Sequence, residues 1–338
     1  MTEATVSAGY LKALLDFAVL NGASEQRLLA RADIPVEALA DQDNRLSFTR
    51  YVALMREAKA DTNNPALALE FGAASDMRKF SVVGLISHAS ANMMEALIQL
   101  NRYGRLVVDV EGIADGARFA LTDTNGERWM EDRRANPDEF PEMTESTWSR
   151  FIVTSRRDFP EHTYALAAHV THAAPAYRAR YEELWQVPVT FSSHWNAIRS
   201  NPSWERVQIQ PDNRYVFGVL TERGDALLKG LERAETVRGK VEALIMPILH
   251  TGEVSVETIA AKLNTSRQTL YRQLKDENAT FEQVLDELRR RMALDYIAAK
   301  KVSVNETAYL VGFSDPASFS RAFKRWTGKS PREWRGAQ

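Results

Sequence analysis

The clearest hydrophobic rhythm lies near the C-terminal end of the chain. Val256, Ile259, Ala260 and Leu263 follow the i, i+3, i+4, i+7 spacing that lines one face of a helix. Asn264 then offers the left-handed backbone that ends such a helix. A second helix starts near Ser266, and with Leu270 and Leu274 turned inward its solvent face carries Gln268, Tyr271, Arg272 and Lys275. The plan then repeats. Ser303 and Glu306 have capping-box spacing, Gly312 closes a helix, and Asp315 followed by Pro316 opens the next, which Phe319, Phe323 and Trp326 anchor. Ser255, Val256, Ala260, Asn264 and Ser266 fall on Ser303, Val304, Ala308, Gly312 and Ser314 at an offset of 48 residues. After one inserted residue the offset is 49, and Leu270, Arg272, Leu274 and Lys275 fall on Phe319, Arg321, Phe323 and Lys324. The pattern predicts two copies of one helix-turn-helix unit.

Between the copies, Thr280 to about Ala299 reads as one amphipathic helix. A Thr280 and Gln283 capping box opens it, and Phe281, Val284, Leu285, Leu288 and Met292 share a face. About 20 residues at about 1.5 Å each make a spacer of roughly 30 Å, close to one turn of B-form DNA. Ser330, Pro331 and Glu333 cap a short closing helix with Trp334 turned inward.

Upstream the rhythm changes. Tyr10 to Asn21, Ser24 to Ala32, Ser47 to Thr62 and Pro65 to Ala73 read as helices, and Asn92 to Val108 as a longer one. Arg118 to Thr122, Thr163 to Thr171, Val189 to Phe191 and Ala197 to Ser200 favour strands, with a turn at Asn125 and Gly126. This predicts an α+β N-terminal domain over residues 1–228. An all-α double helix-turn-helix domain, with its linker, is expected over 229–338. The charged stretch Leu227 to Arg238, with Gly230 and Gly239 as breaks, reads as the connection across which a signal passes, by freeing the second domain or by changing dimer geometry.

Composition sharpens this division. With 44% apolar and 26% charged residues the chain is globular in type. The net charge of −2 hides an asymmetry: from Val237 onward there are 17 lysines and arginines against 12 acidic residues, and before it 26 against 33. Only the C-terminal part has the sign that suits a phosphate backbone. The absence of cysteine excludes disulfides, thiolate metal sites and a cysteine nucleophile, and fits a reducing compartment. The start of the chain lacks a basic n-region, and Lys12 and Asp16 interrupt its first apolar stretch, so neither signal peptide nor membrane span is expected.

Catalytic signatures are missing. There is no P-loop, Gly-x-Gly-x-x-Gly, Gly-x-Ser-x-Gly or His-Glu-x-x-His motif, and no enzyme activity or cofactor is expected. His169, His172 and His194 form one metal-like cluster. On a strand the first two point to opposite faces, which argues against shared ligation. Trp129, Trp148, Trp185, Trp195 and Trp204 suit a core better than a ligand pocket. Arg78 and Lys79 suit a solvated loop better than contact with an anionic ligand or with the C-terminal domain, and no effector-binding residue can be named.

The strings SVETIAAKL, SRQTLYRQLK and VGFSDPASFSRAFKRWTGKSPREWR, within Val254 to Arg335, closely resemble the AraC/XylS family of bacterial transcription regulators. Gly312, Phe313, Phe319, Arg321, Phe323, Lys324, Gly328 and Pro331 match its signature. The resemblance implies seven helices and one subunit reading two adjacent major-groove segments. It places the base-facing positions at Gln268, Tyr271 and Arg272 on the first reading helix and at Ala317, Ser320 and Arg321 on the second. Gln and Arg suit adenine and guanine edges, and Tyr271 suits a thymine methyl or a phosphate. Lys275, Lys324 and Arg325 are expected on phosphates, and the small Ala317 makes the second helix the poorer reader. The bland alternative is a solvated charge, with Arg321 held by an acidic neighbour.

LISHASANMMEALIQLNRYGRLVVD and YEELWQVPVTFSSHWNAIRSNP are similar to the arabinose-binding type of sensor domain found in some of these regulators, over most of residues 20–215. This implies a regulatory domain rather than a particular ligand. The expectation is a cytoplasmic DNA-binding regulator, an activator by family resemblance, with a small-molecule effector, a homodimeric partner and contact with RNA polymerase. A purely dimerising first domain and a catalytic one are the alternatives.

Overall fold

In the computed structural model, which describes residues 4–110, 117–209 and 214–336, the chain divides into two units, Met1–Leu228 and Lys229–Gln338. The first opens with β1 (Thr5–Ser7). Ser7 ends the strand and caps α1 (Ala8–Leu20), its hydroxyl accepting from the Tyr10 N–H at 3.3 Å. Ser24 caps α2 (Glu25–Arg31) in the same way. There follow β2 (Arg45–Ser47), α3 (Phe48–Asp61), α4 (Leu67–Ala74), α5 (Val82–Ala89) and α6 (Met93–Tyr103). With β3 (Val108–Asp109) the early strands make a small antiparallel sheet in the order β2-β1-β3, in which Val6 stands opposite both Leu46 and Val108. Leu11, Leu14, Tyr51, Leu54 and Phe71 form the helical core beside it. Each of the leucines and Phe71 contributes about 1.5–3 kcal/mol on burial.

The helix expected to reach Val108 stops at Tyr103. The Ser7 N–H donates to the Val107 carbonyl at 2.9 Å, and Val108 pairs with Val6, so the sheet claims residues whose local rhythm is helical. Strands at 5–7 and 45–47 are too short to show alternation.

A second sheet begins with β4 (Phe119–Thr124) and β5 (Glu127–Asp132). Asn125 and Gly126 join them with φ of 54° and 78°, the doubly left-handed two-residue turn that matches strand twist. α7 (Pro141–Ser149) continues through a π-helical turn, Arg150–Thr154, into α8 (Ser155–Asp158). Then come β6 (Ala165–His169), α9 (Arg178–Trp185), β7 (Val189–Thr190) and β8 (Ala197–Ser200). The sheet order is β4-β5-β8-β6-β7, antiparallel except for the β6–β7 pair. α7 gives no apolar rhythm because its buried residues include Thr144, Glu145, Ser146, Thr147 and Ser149. It packs so closely on α4 that a Cβ at Gly72 would lie 2.3 Å from the Ser146 carbonyl oxygen. Trp148, Tyr181, Trp185 and Ile198 centre this second core. Trp129 and Trp204 are also buried, while Trp195 is half-buried with its ring 5.1 Å from that of Trp129.

α10 (Arg214–Glu235) runs through Gly230 without interruption, contrary to the break expected there. Gly218, Gly224 and Gly230 are three unfavourable residues in 22, each costing about 1 kcal/mol relative to alanine, and the helix continues through all of them. The break falls at Thr236, whose hydroxyl caps α11 (Val237–Ile245) by accepting from the Gly239 N–H at 2.9 Å.

The second unit is helical throughout: α11, α12 (Val256–Lys262), α13 (Arg267–Asp276), α14 (Phe281–Ala299), α15 (Val304–Leu310), α16 (Pro316–Thr327) and α17 (Pro331–Gly336). Capping boxes open α14 at Thr280 and Gln283 and α15 at Ser303 and Glu306. Asn264 ends the first turn of the repeat at φ 51° and Gly312 the second at φ 77°. Gly312 is also confined, since a Cβ there would stand 2.3 Å from the Leu249 carbonyl oxygen. Ile259, Leu270, Leu274, Leu288, Ile297, Phe319 and Phe323 meet in one core.

Candidate DNA-binding interface

Each of α13 and α16 is the second helix of a helix-turn-helix unit, and each is fixed by its own buried face. In α13, Ser266 caps the start by accepting from the Thr269 N–H at 3.1 Å, while Leu270 and Leu274 are fully buried. Because these two lie one turn apart, Gln268, Arg272 and Lys275 point outward. Among the described residues none of the three side chains makes a hydrogen bond or ion pair, so their donors face solvent. Tyr271 is half-buried. The Arg267 guanidinium lies 5.4 Å from its ring centroid, and its hydroxyl donates to Glu282 at the long distance of 3.4 Å. Arg267, not anticipated from the sequence, is also ion-paired to Glu257 at 2.8 Å.

In α16 the Asp315 carboxylate accepts from the Ser318 N–H at 2.8 Å, and that backbone donor holds its pKa below the ordinary 3.8. Phe319 and Phe323 are buried, which leaves Ala317, Arg321, Lys324 and Arg325 exposed. Ser320 is half-buried and spends its hydroxyl proton on the Pro316 carbonyl at 2.8 Å, keeping only acceptor capacity. Arg321 donates to the Ser318 hydroxyl at 2.8 Å; among the described residues no carboxylate holds it. Arg325 is paired with Asp286 of α14 at 3.0 Å, and the same carboxylate accepts from the Trp326 indole N–H at 2.8 Å. The nine positions singled out by sequence therefore divide. Among the described residues Gln268, Arg272, Lys275 and Lys324 make no side-chain hydrogen bond or ion pair, Lys324 lying only in the field of Glu333; Arg321 and Ser320 are held locally; Tyr271 and Arg325 are tied to neighbouring helices; Ala317 offers only a methyl group.

The two helices are held apart by α14, whose 19 residues span about 28 Å at about 1.5 Å per residue. Phe281, Val284 and Leu288 bury one side of it. Arg289 was also missed by sequence reading. It is half-buried, donates to the Gly312 carbonyl at 3.0 Å and lies 4.9 Å from the Phe313 ring centroid, so it ties α14 to the turn before α16. A mid-helix arginine carries no sequence signal for such a role.

The metal-like histidines do not converge. His169 faces Ser193 and the Trp195 indole, both at 3.2 Å, while His172 lies beside Tyr181 and Phe191 and His194 stacks on Trp195. Burial and the neighbouring His194 lower the His169 pKa. No cluster of three or more metal-ligating side chains occurs among the described residues, and no helix there is long and apolar enough to cross a membrane.

Residues 22–206 match the family model for the N-terminal arabinose-binding domain of AraC transcription regulators, and residues 259–337 match a helix-turn-helix domain. The chain belongs to the AraC family: it is a DNA-binding transcription regulator, not an enzyme. It is 27% identical over 337 residues to the ornithine utilization regulator of Pseudomonas aeruginosa, covering 99% of this chain and 98% of that one. It is 22% identical over 315 residues to the transcriptional regulator VirS of Mycobacterium tuberculosis, covering 93% and 91%. The solved structure of the regulator CdpR from Pseudomonas aeruginosa aligns over 92% of this chain and 96% of its own, with 21% identity and a TM-score of 0.43.

Proposed function

We propose that α13 and α16 enter successive major-groove segments on one side of a DNA duplex, with Gln268, Tyr271 and Arg272 reading most of the bases. Ala317, Ser320 and Arg321 form the weaker reader, and Lys275, Lys324 and Arg325 meet phosphates, Arg325 after exchanging its exposed Asp286 partner. The observation that carries this is the pair Gln268 and Arg272, one turn apart on α13 and both exposed, with no hydrogen-bond or ion-pair partner among the described residues. Residues 1–228 serve as the effector-sensing and dimerising part. Through them a small molecule controls residues 229–338, and the regulator acts in the cytoplasm as an activator that contacts RNA polymerase. A homodimer extends the readout to paired half-sites. Support comes from family membership and from the basic balance that is confined to the chain from Val237 onward.

The test is to map bound promoter sites and footprint one of them. Two protected major-groove segments about one helical turn apart per subunit are expected, with affinity falling steeply as salt rises. Protection of a single segment would refute the two-reader arrangement.

A further inference from the structure

A cavity of about 220 Å³ lies inside the first unit, between α5, α6, the π-helical turn and the sheet that contains β4, β5 and β8. Its body is apolar, with Met93, Leu97, Leu100, Met130, Phe151 and Trp204 among its walls. α6 shows what the space does to packing. Its apolar residues are spaced for a core, yet Tyr103 alone is fully buried: Met93, Leu97 and Leu100 pack only partly against the neighbouring core and also line the cavity. An apolar ligand surface would complete their burial.

One end of the cavity is charged. Asp76 is occupied by both forks of Arg78 at 2.8 Å, and Asp158 by Arg157 at 2.8 Å. Arg150 is different. Its guanidinium donates to the Ser75 hydroxyl at 3.1 Å, the Tyr10 hydroxyl at 2.7 Å and the Met77 sulfur at 3.7 Å, all neutral acceptors. Among the described residues no carboxylate pairs with it, and two of its five N–H donors remain unassigned. Its positive field is felt next door: burial pushes the Tyr10 phenol upward, but Arg150 and the hydrogen bonds around the hydroxyl bring it below its usual value. Arg150 also opens the π-helical turn, a rare distortion that occurs frequently at functional sites, and Phe151 and Thr154 of the same turn line the cavity.

We infer that this cavity binds a small amphiphilic monocarboxylate, an organic acid whose carboxylate pairs with Arg150 and whose apolar body lies among Met93, Leu97, Leu100 and Phe151. The volume is below the roughly 300–1,000 Å³ of drug-sized sites, which restricts the ligand to a compact acid. An amino acid with a cationic side chain fits poorly, because the acidic groups of the lining, Asp76, Asp158 and Glu205, already hold Arg78, Arg157 and Arg128. The inference rests on the proposed effector control and names its chemistry.

The experiment is calorimetric titration of the full chain with octanoate, 1-octanol, octylamine and ornithine. Saturable octanoate binding is expected, with 1-octanol, octylamine and ornithine each at least tenfold weaker. Arg150→Gln should weaken octanoate roughly tenfold or more through loss of a charge-assisted pair. Leu97→Trp, which fills the cavity from a half-exposed position and leaves the Arg150 contacts intact, should abolish binding while the circular dichroism spectrum is preserved. No octanoate binding, equal binding of octylamine, or unchanged octanoate binding in folded Leu97→Trp protein overturns the inference. Promoter affinity measured in the same samples separates the two readings. Octanoate binding that leaves DNA affinity unchanged keeps the site and removes its effector role. Control by another metabolite without octanoate binding keeps effector control and overturns the site.

Discussion

Arg272 and Arg325 are both exposed arginines on helix-turn-helix second helices, and partners alone distinguish them. Arg272 has none among the described residues, so its two-pronged donor face is available without breaking a contact. Arg272→Ala is expected to cost about 1–3 kcal/mol of specific binding and to relax preference at one base pair, as read by gel shift on operators varied position by position. An unchanged preference profile would exclude it as a base reader. Arg325 lies beside Asp286 in an exposed pair worth at most about 1 kcal/mol, so exchanging that partner for a phosphate is cheap. Asp286 itself has a second duty, the Trp326 indole N–H. Periodicity found the outward face of both helices; it could not show which outward groups were engaged, because Arg325 and Tyr271 find their partners on α14 and Arg321 finds its partner in a side-chain hydroxyl of its own helix.

At the level of whole elements, the helical repeat was legible almost residue by residue, since each helix carries its own start and stop signals. Ser255, Ser266, Thr280, Ser303 and Asp315 all cap as their positions suggest. The N-terminal part was less legible where long-range pairing decided. β1, β2 and β3 are each too short for an alternating pattern, and polar α7 is buried through hydrogen bonds: Glu145 accepts from Tyr177 and Tyr181, and Ser149 from the Trp185 indole. Cap chemistry also sets a pH response. The backbone N–H of Ser318 lowers the Asp315 pKa below 3.8, so the folded unit prefers the carboxylate. Its stabilising contribution is complete above that ordinary value and is lost as pH falls through the lower folded value. The melting temperature of Asp315→Ala should therefore lie below that of the parent at neutral pH, and the gap should close in strongly acidic buffer. A gap that stays constant down to low pH would show that the carboxylate charge is not what stabilises the start of α16.

For the molecule as a whole, the cores of Met1–Leu228 and Lys229–Gln338 are separate clusters of side chains. Calorimetry of the full chain should resolve two unfolding transitions, with Leu274→Ala destabilising only one of them, by about 2–5 kcal/mol. A uniform shift of a single transition would instead mean that the units unfold together. The division also explains why composition was informative only after the chain was cut: acidic and basic halves cancel in the total charge. α14 has a further consequence, for the genome rather than the protein. A continuous helix advances about 1.5 Å and turns about 100° per residue, so adding or removing one residue would move the second reader around the duplex as well as along it. On the proposed reading, the two words within one subunit's operator keep an invariant gap. Promoters are free to drift in sequence at the second word, where the reader is weak, but an insertion or deletion between the words should be absent from every functional site.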